Sequence, residues 1–169
     1  MHPTRSRSFW ACALLLLAAA AFPGRADAQA TYESLAFPGK CMDVYRGDLS
    51  DGNHIDVYTC QFSVNQYFLR QSDGHVVVQK GQTGPRGYQM CMDYYPSAGR
   101  VGDPVRIWPC RPLTGPADSQ HWYQLANGQW LGGSGNCVGA PAGTNGTQLV
   151  MVACNPTNAP ANSRWKPRI

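Results

Sequence analysis

An internal triplication limits what this chain can fold into more than any other feature. The stretch Cys41 to Phe68, CMDVYRGDLSDGNHIDVYTCQFSVNQYF, recurs as Cys91 to Trp122, CMDYYPSAGRVGDPVRIWPCRPLTGPADSQHW. It returns in eroded form as Cys137 to Trp165, CVGAPAGTNGTQLVMVACNPTNAPANSRW. Each copy opens on a cysteine, crosses a Gly-rich turn into a strand-like run and meets a second cysteine 19, 19 and 17 residues on. An aromatic residue, Phe68, Trp122 or Trp165, closes each copy 8 to 12 residues later. A unit repeated at this spacing cannot bury a hydrophobic face alone, so the copies must pack on one another, and a three-fold architecture is expected.

The local pattern is all-β. Apolar positions alternate in short runs that Gly, Pro, Asn and Asp interrupt every eight to twelve residues, and no window carries an amphipathic helix. Leu35 to Phe37 is expected as a first strand before the Pro38-Gly39 turn. The runs Tyr67–Arg70 and His75–Gln79 flank Asp73-Gly74, a hairpin signal, and Trp122–Leu125 and Gln129–Leu131 flank Asn127-Gly128 in the equivalent place. A last strand, Trp165 to Ile169, has no returning partner after it, and the N-terminal strand is expected to pair with it and close a barrel.

Period-two alternation assigns faces. In His54–Thr59, Ile55 and Val57 point one way and Asp56 and Tyr58 the other. The same register sends Val105 and Ile107 inward with Arg106 and Trp108 outward in the second copy. In the third, Leu149 and Met151 go inward, leaving Val150 and Val152 on the outer face. Phe68, Trp122 and Trp165 read as core, because large aromatics at a repeated strand position fill interiors.

The paired cysteines, the acids Asp43 and Asp93 two residues after the first of each pair, and the endings Gln66-Tyr67-Phe68 and Gln120-His121-Trp122 resemble the ricin B-type lectin family over about residues 35–169. The resemblance implies a β-trefoil of three repeats with one disulfide each, acting as a secreted carbohydrate-binding lectin of galactose or N-acetylgalactosamine type. Sugar capture needs a flat apolar ring against the C–H face and carboxylate or amide groups on the hydroxyl edge. By that likeness Asp43 would bond two hydroxyls, Tyr58 would stack, Asn65 would bond the same edge, and Gln66 would brace Asp43. Asp56 stands where the family commonly has Gln. In the second repeat Asp93, Trp108 and Gln120 are kept, with departures at Arg106 and at Ser119, where Asn is usual. In the third, Gly139, Val152 and Ser163 replace the acid, the ring and the Gln, which argues against a sugar site there.

Residues 1–30 read as a secretory signal peptide and 31–169 as one lectin domain. Arg5 and Arg7 precede an apolar run from Phe9 to Phe22, and small residues surround Ala26-Asp27-Ala28. The run is too short for a membrane span, and the expected location is extracellular or periplasmic. Without Arg5, Arg7, Arg25 and Asp27 the net charge falls from +4 to +2, and no cluster of basic and aromatic residues suits nucleic acid. Six cysteines remain besides Cys12, an even number in an exported chain, which favours disulfides over metal. They allow fifteen pairings, and the repeat selects Cys41–Cys60, Cys91–Cys110 and Cys137–Cys154, each worth about 3 kcal/mol in the chain-entropy view. No cofactor or metal is implied.

Other readings set Asp43 and Asp56 as paired carboxylates of a glycosidase, or build a catalytic triad on His54, His75 or His121, but no catalytic motif accompanies them. A further alternative is a trefoil that binds protein. As such it would be a protease inhibitor or the receptor-binding subunit of a toxin, similar to the flanking subunits of cytolethal distending toxins, with a toxin or enzyme subunit supplied in trans. Glycans or glycoconjugates are the expected partners.

Overall fold

The computed structural model describes residues 29–79 and 81–168. The segment read as a leader lies outside them, apart from Gln29 and Ala30.

Short strands form wherever β-branched, aromatic or sulfur-containing residues alternate between turn residues. The first repeat holds β1 (Gln29–Ser34), β2 (Lys40–Val44), β3 (Ile55–Thr59) and β4 (Phe68–Arg70). The second holds β5 (Val76–Val78), β6 (Met90–Asp93), β7 (Arg106–Pro109) and β8 (Trp122–Gln124). The third holds β9 (Trp130–Gly132), β10 (Cys137–Gly139), β11 (Thr147–Gln148), β12 (Val150–Val152) and β13 (Trp165–Arg168). Here the strand that is single in the other repeats is split, with β11 pairing β3 and β12 pairing β10.

Each repeat projects one hairpin in the same register. Cys41 faces Tyr58 in β2–β3, Cys91 faces Trp108 in β6–β7, and Cys137 faces Val152 in β10–β12. Two residues further in, the facing pairs are Asp43 with Asp56, Asp93 with Arg106, and Gly139 with Val150. The disulfides Cys41–Cys60, Cys91–Cys110 and Cys137–Cys154 tie each hairpin at its outer end.

A closed ring of backbone hydrogen bonds marks the three-fold axis. Ile55 N–H donates to Val105 O at 3.2 Å, Val105 N–H to Leu149 O at 2.9 Å, and Leu149 N–H to Ile55 O at 2.8 Å. Beside it, a turn of each repeat rests on a strand of another: Gly52 N–H donates to Ile107 O, Gly102 N–H to Met151 O and Gly146 N–H to Val57 O, at 2.8–2.9 Å. Around this axis Met42, Ile55, Val57, Met92, Ile107, Leu149 and Met151 are buried together with Phe68, Trp122 and Trp165. Both tryptophans place their indole N–H on a backbone carbonyl, of Met92 at 2.8 Å and Val138 at 3.2 Å, as a buried indole requires. The architecture is a β-trefoil.

The first strand lies upstream of the expected Leu35–Phe37. Residues 35–37 instead bend, with Phe37 N–H on the Ser34 hydroxyl at 3.3 Å and Lys40 N–H on Phe37 O at 3.0 Å. β1 pairs β13 from Thr31 opposite Arg168 to Ser34 opposite Trp165, and also touches β2 and β4. The closure by the N-terminal strand is therefore made, but by Gln29–Ser34. Glu33 fastens it. Its buried carboxylate takes the Gly39 N–H at 2.7 Å and pairs with Lys166 and Arg168, and the backbone hydrogen bond from Gly39 first, then these cations, hold its pKa down at about 2. Among the described residues no helix is long and apolar enough to cross a membrane.

Candidate functional site

The β2–β3 hairpin builds the first cleft. Asp56 and Tyr58 share a face of β3, and Asp43 stands opposite Asp56, so all three open on the same side. Tyr58 is 38% exposed at the mouth, whereas Asp43 at 5% and Asp56 at 1% form the floor. The expectation that Asp56 points away from the core holds, but it is not exposed to solvent. A turn of the third repeat, Asn145-Gly146, closes over that side of a cleft of about 630 Å³.

Gln66 is fully buried behind the cleft and fixes its acid. Its Nε2 donates to Asp43 Oδ2 and to Thr59 O, both at 2.9 Å, while its Oε1 accepts the N–H groups of Gln61 at 2.8 Å and Phe62 at 3.1 Å. The side chain thus locks the loop and one carboxylate oxygen, leaving Asp43 Oδ1 for other partners. The short 3-10 turn Val64–Gln66 presents Asn65 at the rim. Gly47 passes under that amide so closely that a Cβ would stand 2.6 Å from Asn65 Oδ1, and its φ of +66° also favours glycine.

Further lining residues carried no signal in the local pattern. Tyr45 stacks on His54 with ring centroids 4.3 Å apart, and the exposed Arg46 lies over the Tyr45 ring at 4.9 Å, in a left-handed backbone conformation with φ 56°. Asn145 reaches in from the third repeat, its Oδ1 accepting from Lys40 Nζ at 2.6 Å and Thr59 N–H at 3.0 Å. The Asn-Gly-Thr tripeptide marks a turn in sequence, but only the fold brings that turn to another repeat's cleft.

Burial raises the pKa of Asp43, against the hydrogen bond from Gln66. Burial, and then the negative charge of Asp43, push Asp56 up to about 7. Among the described residues, no hydrogen bond reaches the buried Asp56 Oδ1.

The second cleft repeats the plan at about 210 Å³, lined by Asp93, Tyr95, Trp108, Pro109, Arg111 and Gln120. Asp93 Oδ2 accepts from Gln120 Nε2 at 2.9 Å, and its Oδ1 from Tyr95 N–H at 2.7 Å, so both oxygens are engaged. Trp108 donates its indole N–H to Tyr95 O at 2.7 Å and meets the Tyr95 ring edge-on at 5.3 Å. Ser119 and Arg106 do not line this cleft. The Ser119 hydroxyl takes a hydrogen bond from the Arg111 guanidinium at 2.9 Å, and Arg106 turns back to the first repeat, donating to Gly52 O at 3.0 Å.

In the third repeat Val152 fills the volume that an acid would need. A Cβ on Gly139 would lie 2.7 Å from Val152 Cγ1. Ser163, in the place of Gln66, takes a hydrogen bond from Gln129 Nε2 at 2.9 Å. The histidines are held by separate partners. His75 bridges Asp73 Oδ2 at 2.8 Å and Arg111 O at 2.9 Å, while His121 packs on Tyr123 at 4.5 Å. Among the described residues no three His, Cys, Asp or Glu side chains converge as metal ligands.

The sequence profile of the ricin-type beta-trefoil lectin domain matches residues 31–165. A non-toxic homologue of type II ribosome-inactivating proteins from Momordica charantia, solved with methyl α-D-galactoside, is similar with a TM-score of 0.64 at 22% identity, over 83% of this chain and 47% of that one. The agglutinin of Abrus precatorius also gives 0.64 at 22% identity, over 84% and 49%. The β-trefoil lectin of the Vibrio vulnificus hemolysin/cytolysin, solved with N-acetyl-D-lactosamine, gives 0.58 at 20% identity, over 83% and 93%. The chain thus spans about half the length of the two plant proteins. No curated protein is detectably similar to it in sequence.

Proposed function

Because the chain belongs to the ricin-type β-trefoil lectin family, whose module binds carbohydrate and is not an enzyme, we propose that it captures glycans at its first cleft and, with a different polar set, at its second. The observation that carries this reading is the first cleft itself. A carboxylate held at one oxygen by Gln66 keeps Asp43 Oδ1 for a pair of hydroxyls, while Tyr58 offers a ring at the mouth and Asn65 an amide at the rim. Asp56 closes the floor. In the second cleft Asp93 supplies the carboxylate, braced by Gln120 at one oxygen and by the Tyr95 N–H at the other, and Trp108 supplies the ring, while Arg106 and Ser119 act only through the neighbours they hold.

The sugar proposed is of galactose or N-acetylgalactosamine type, in line with the galactoside and N-acetyllactosamine in the two similar structures named above. Export is proposed as well, since residues 1–30 carry the leader pattern and three disulfides suit an oxidising compartment. Each open cleft offers few contacts against the lost translational freedom of the ligand, so single-site affinity is expected to be weak. Two clefts on one rigid body raise the effective concentration on clustered glycans.

A glycan array with the refolded chain tests the reading beside Asp43→Ala and Asp93→Ala. Asp43→Ala is expected to remove most galactoside signal and Asp93→Ala a smaller share. An array pattern unchanged by both would overturn it.

A further inference from the structure

Two carboxyls face each other on the floor of the first cleft, and among the described residues only Asp43 is held by another side chain. Asp43 is held by Gln66, whereas Asp56 Oδ1 is buried and receives no hydrogen bond among the described residues. The groups around Asp56 do not neutralise it. Across β2 stands another acid, Asp43. Across β11 stands Gln148, whose Nε2 is also buried without a partner among the described residues. Tyr58 shares its strand face. Of the nearby cations, Arg46 lies over Tyr45, Lys40 is engaged by Thr59 and Asn145, and Arg106 donates to Gly52 O. His54, two residues before Asp56, stacks on Tyr45, and burial first, then Arg106, lower its pKa.

We propose that Asp56 is a proton-operated control of the first cleft: while it keeps its proton, Asp43 is the single charge on the floor, and when the proton leaves, glycan capture weakens. This rests on the glycan reading of the same cleft. Asp56 acts through Asp43 and is therefore a positioning residue. A neutral sugar that covers the cleft strips its remaining water and brings no positive charge, which favours the protonated acid further. By linkage, binding then takes up a proton, and affinity falls as pH rises past the point where the free cleft loses it, by up to about tenfold per pH unit. That point lies near neutrality, at about pH 7. In the second cleft the position facing the acid is Arg106, so no second carboxyl is present to titrate.

The test uses Trp108→Ala, which silences the second cleft, with and without Asp56→Asn. Binding of methyl α-D-galactoside and N-acetyl-D-lactosamine is measured by calorimetry from pH 5.5 to 8.5. The expected result is affinity constant at the acid end and falling about tenfold per unit above neutral pH, abolished in the Asp56→Asn background. The same fall in both backgrounds, or a flat profile in both, would overturn the proposal while leaving glycan binding intact. Absence of binding at every pH in both backgrounds would overturn the glycan reading and this inference with it. Denaturant unfolding without ligand supplies a further check. Asp56→Asn is expected to become steadily more stable than the parent from pH 4 to pH 7, because a raised carboxyl pKa costs the folded state as the acid ionises. An equal difference at all pH values would also overturn the proposal.

Discussion

The first and second clefts are one design carrying two charge patterns. Both place an acid on the inner strand of a hairpin, an aromatic ring two registers outward and a buried Gln that holds the acid at 2.9 Å. They part at the residue facing the acid. Asp56 adds a second carboxyl to the first floor, while Arg106 in the same register turns its charge onto the neighbouring repeat. They also differ in freedom, since among the described residues Asp43 is held at one oxygen and Asp93 at both. A shared scaffold therefore fixes where each cleft lies, while single side chains at one register decide its electrostatics.

Removing one staple is the strongest way to break the comparison. Cys41→Ala with Cys60→Ala is expected to cost about 3 kcal/mol in urea unfolding and to weaken the first cleft more than the second, read by calorimetry. Equal loss at both would show that the clefts are not separable. Next, Glu33 lies in neither cleft and should leave the contrast untouched. Its folded pKa is depressed to about 2, so its stabilisation is complete above its ordinary carboxylate pKa and is lost as pH falls toward 2. Glu33→Gln should remove about 2 kcal/mol at neutral pH, with the exposed cationic partners discounted, and flatten the acid limb of the stability profile.

Smaller in effect, Arg106→Asp would give the second cleft a facing acid pair. Its affinity should then acquire the alkaline fall expected of the first, about tenfold per pH unit, measured in a Tyr58→Ala background. A flat profile there would mean that the facing register is not what makes a cleft pH-sensitive. Smallest is Ser119→Asn, which lengthens the polar arm beside the second cleft and should raise its affinity a few-fold, about the value of one net hydrogen bond.

The repeat made much of this legible in advance. The hairpin turns and the alternation of Ile55, Val57, Ile107 and Met151 are local in sequence, and the cysteine spacing of 19, 19 and 17 residues shows through its recurrence. The first strand escaped because its alternation, Ala30 and Tyr32 between Thr31 and Glu33, holds only two apolar residues and is too short to stand out. Strands β2, β4 and β13 all touch it, so Thr31 and Glu33 are buried as deeply as Ala30 and Tyr32. Asp56, Arg106 and Asn145 illustrate the other limit. Their faces or turns follow from local sequence, but the lid over Asp56, the carbonyl that holds Arg106 and the cleft that Asn145 enters all come from another repeat.

That borrowing has a consequence for how such a chain can be divided. The Asn145-Gly146 turn walls the first cleft, and Gly52 of the first repeat lies so close beneath Trp108 that a Cβ there would stand 3.2 Å from the ring. A single repeat expressed alone would keep its acid and its aromatic but lack a side of its pocket. The completed first cleft therefore belongs to the closed ring rather than to any sector of it, and the third sector, with no acid of its own, serves as masonry for the first.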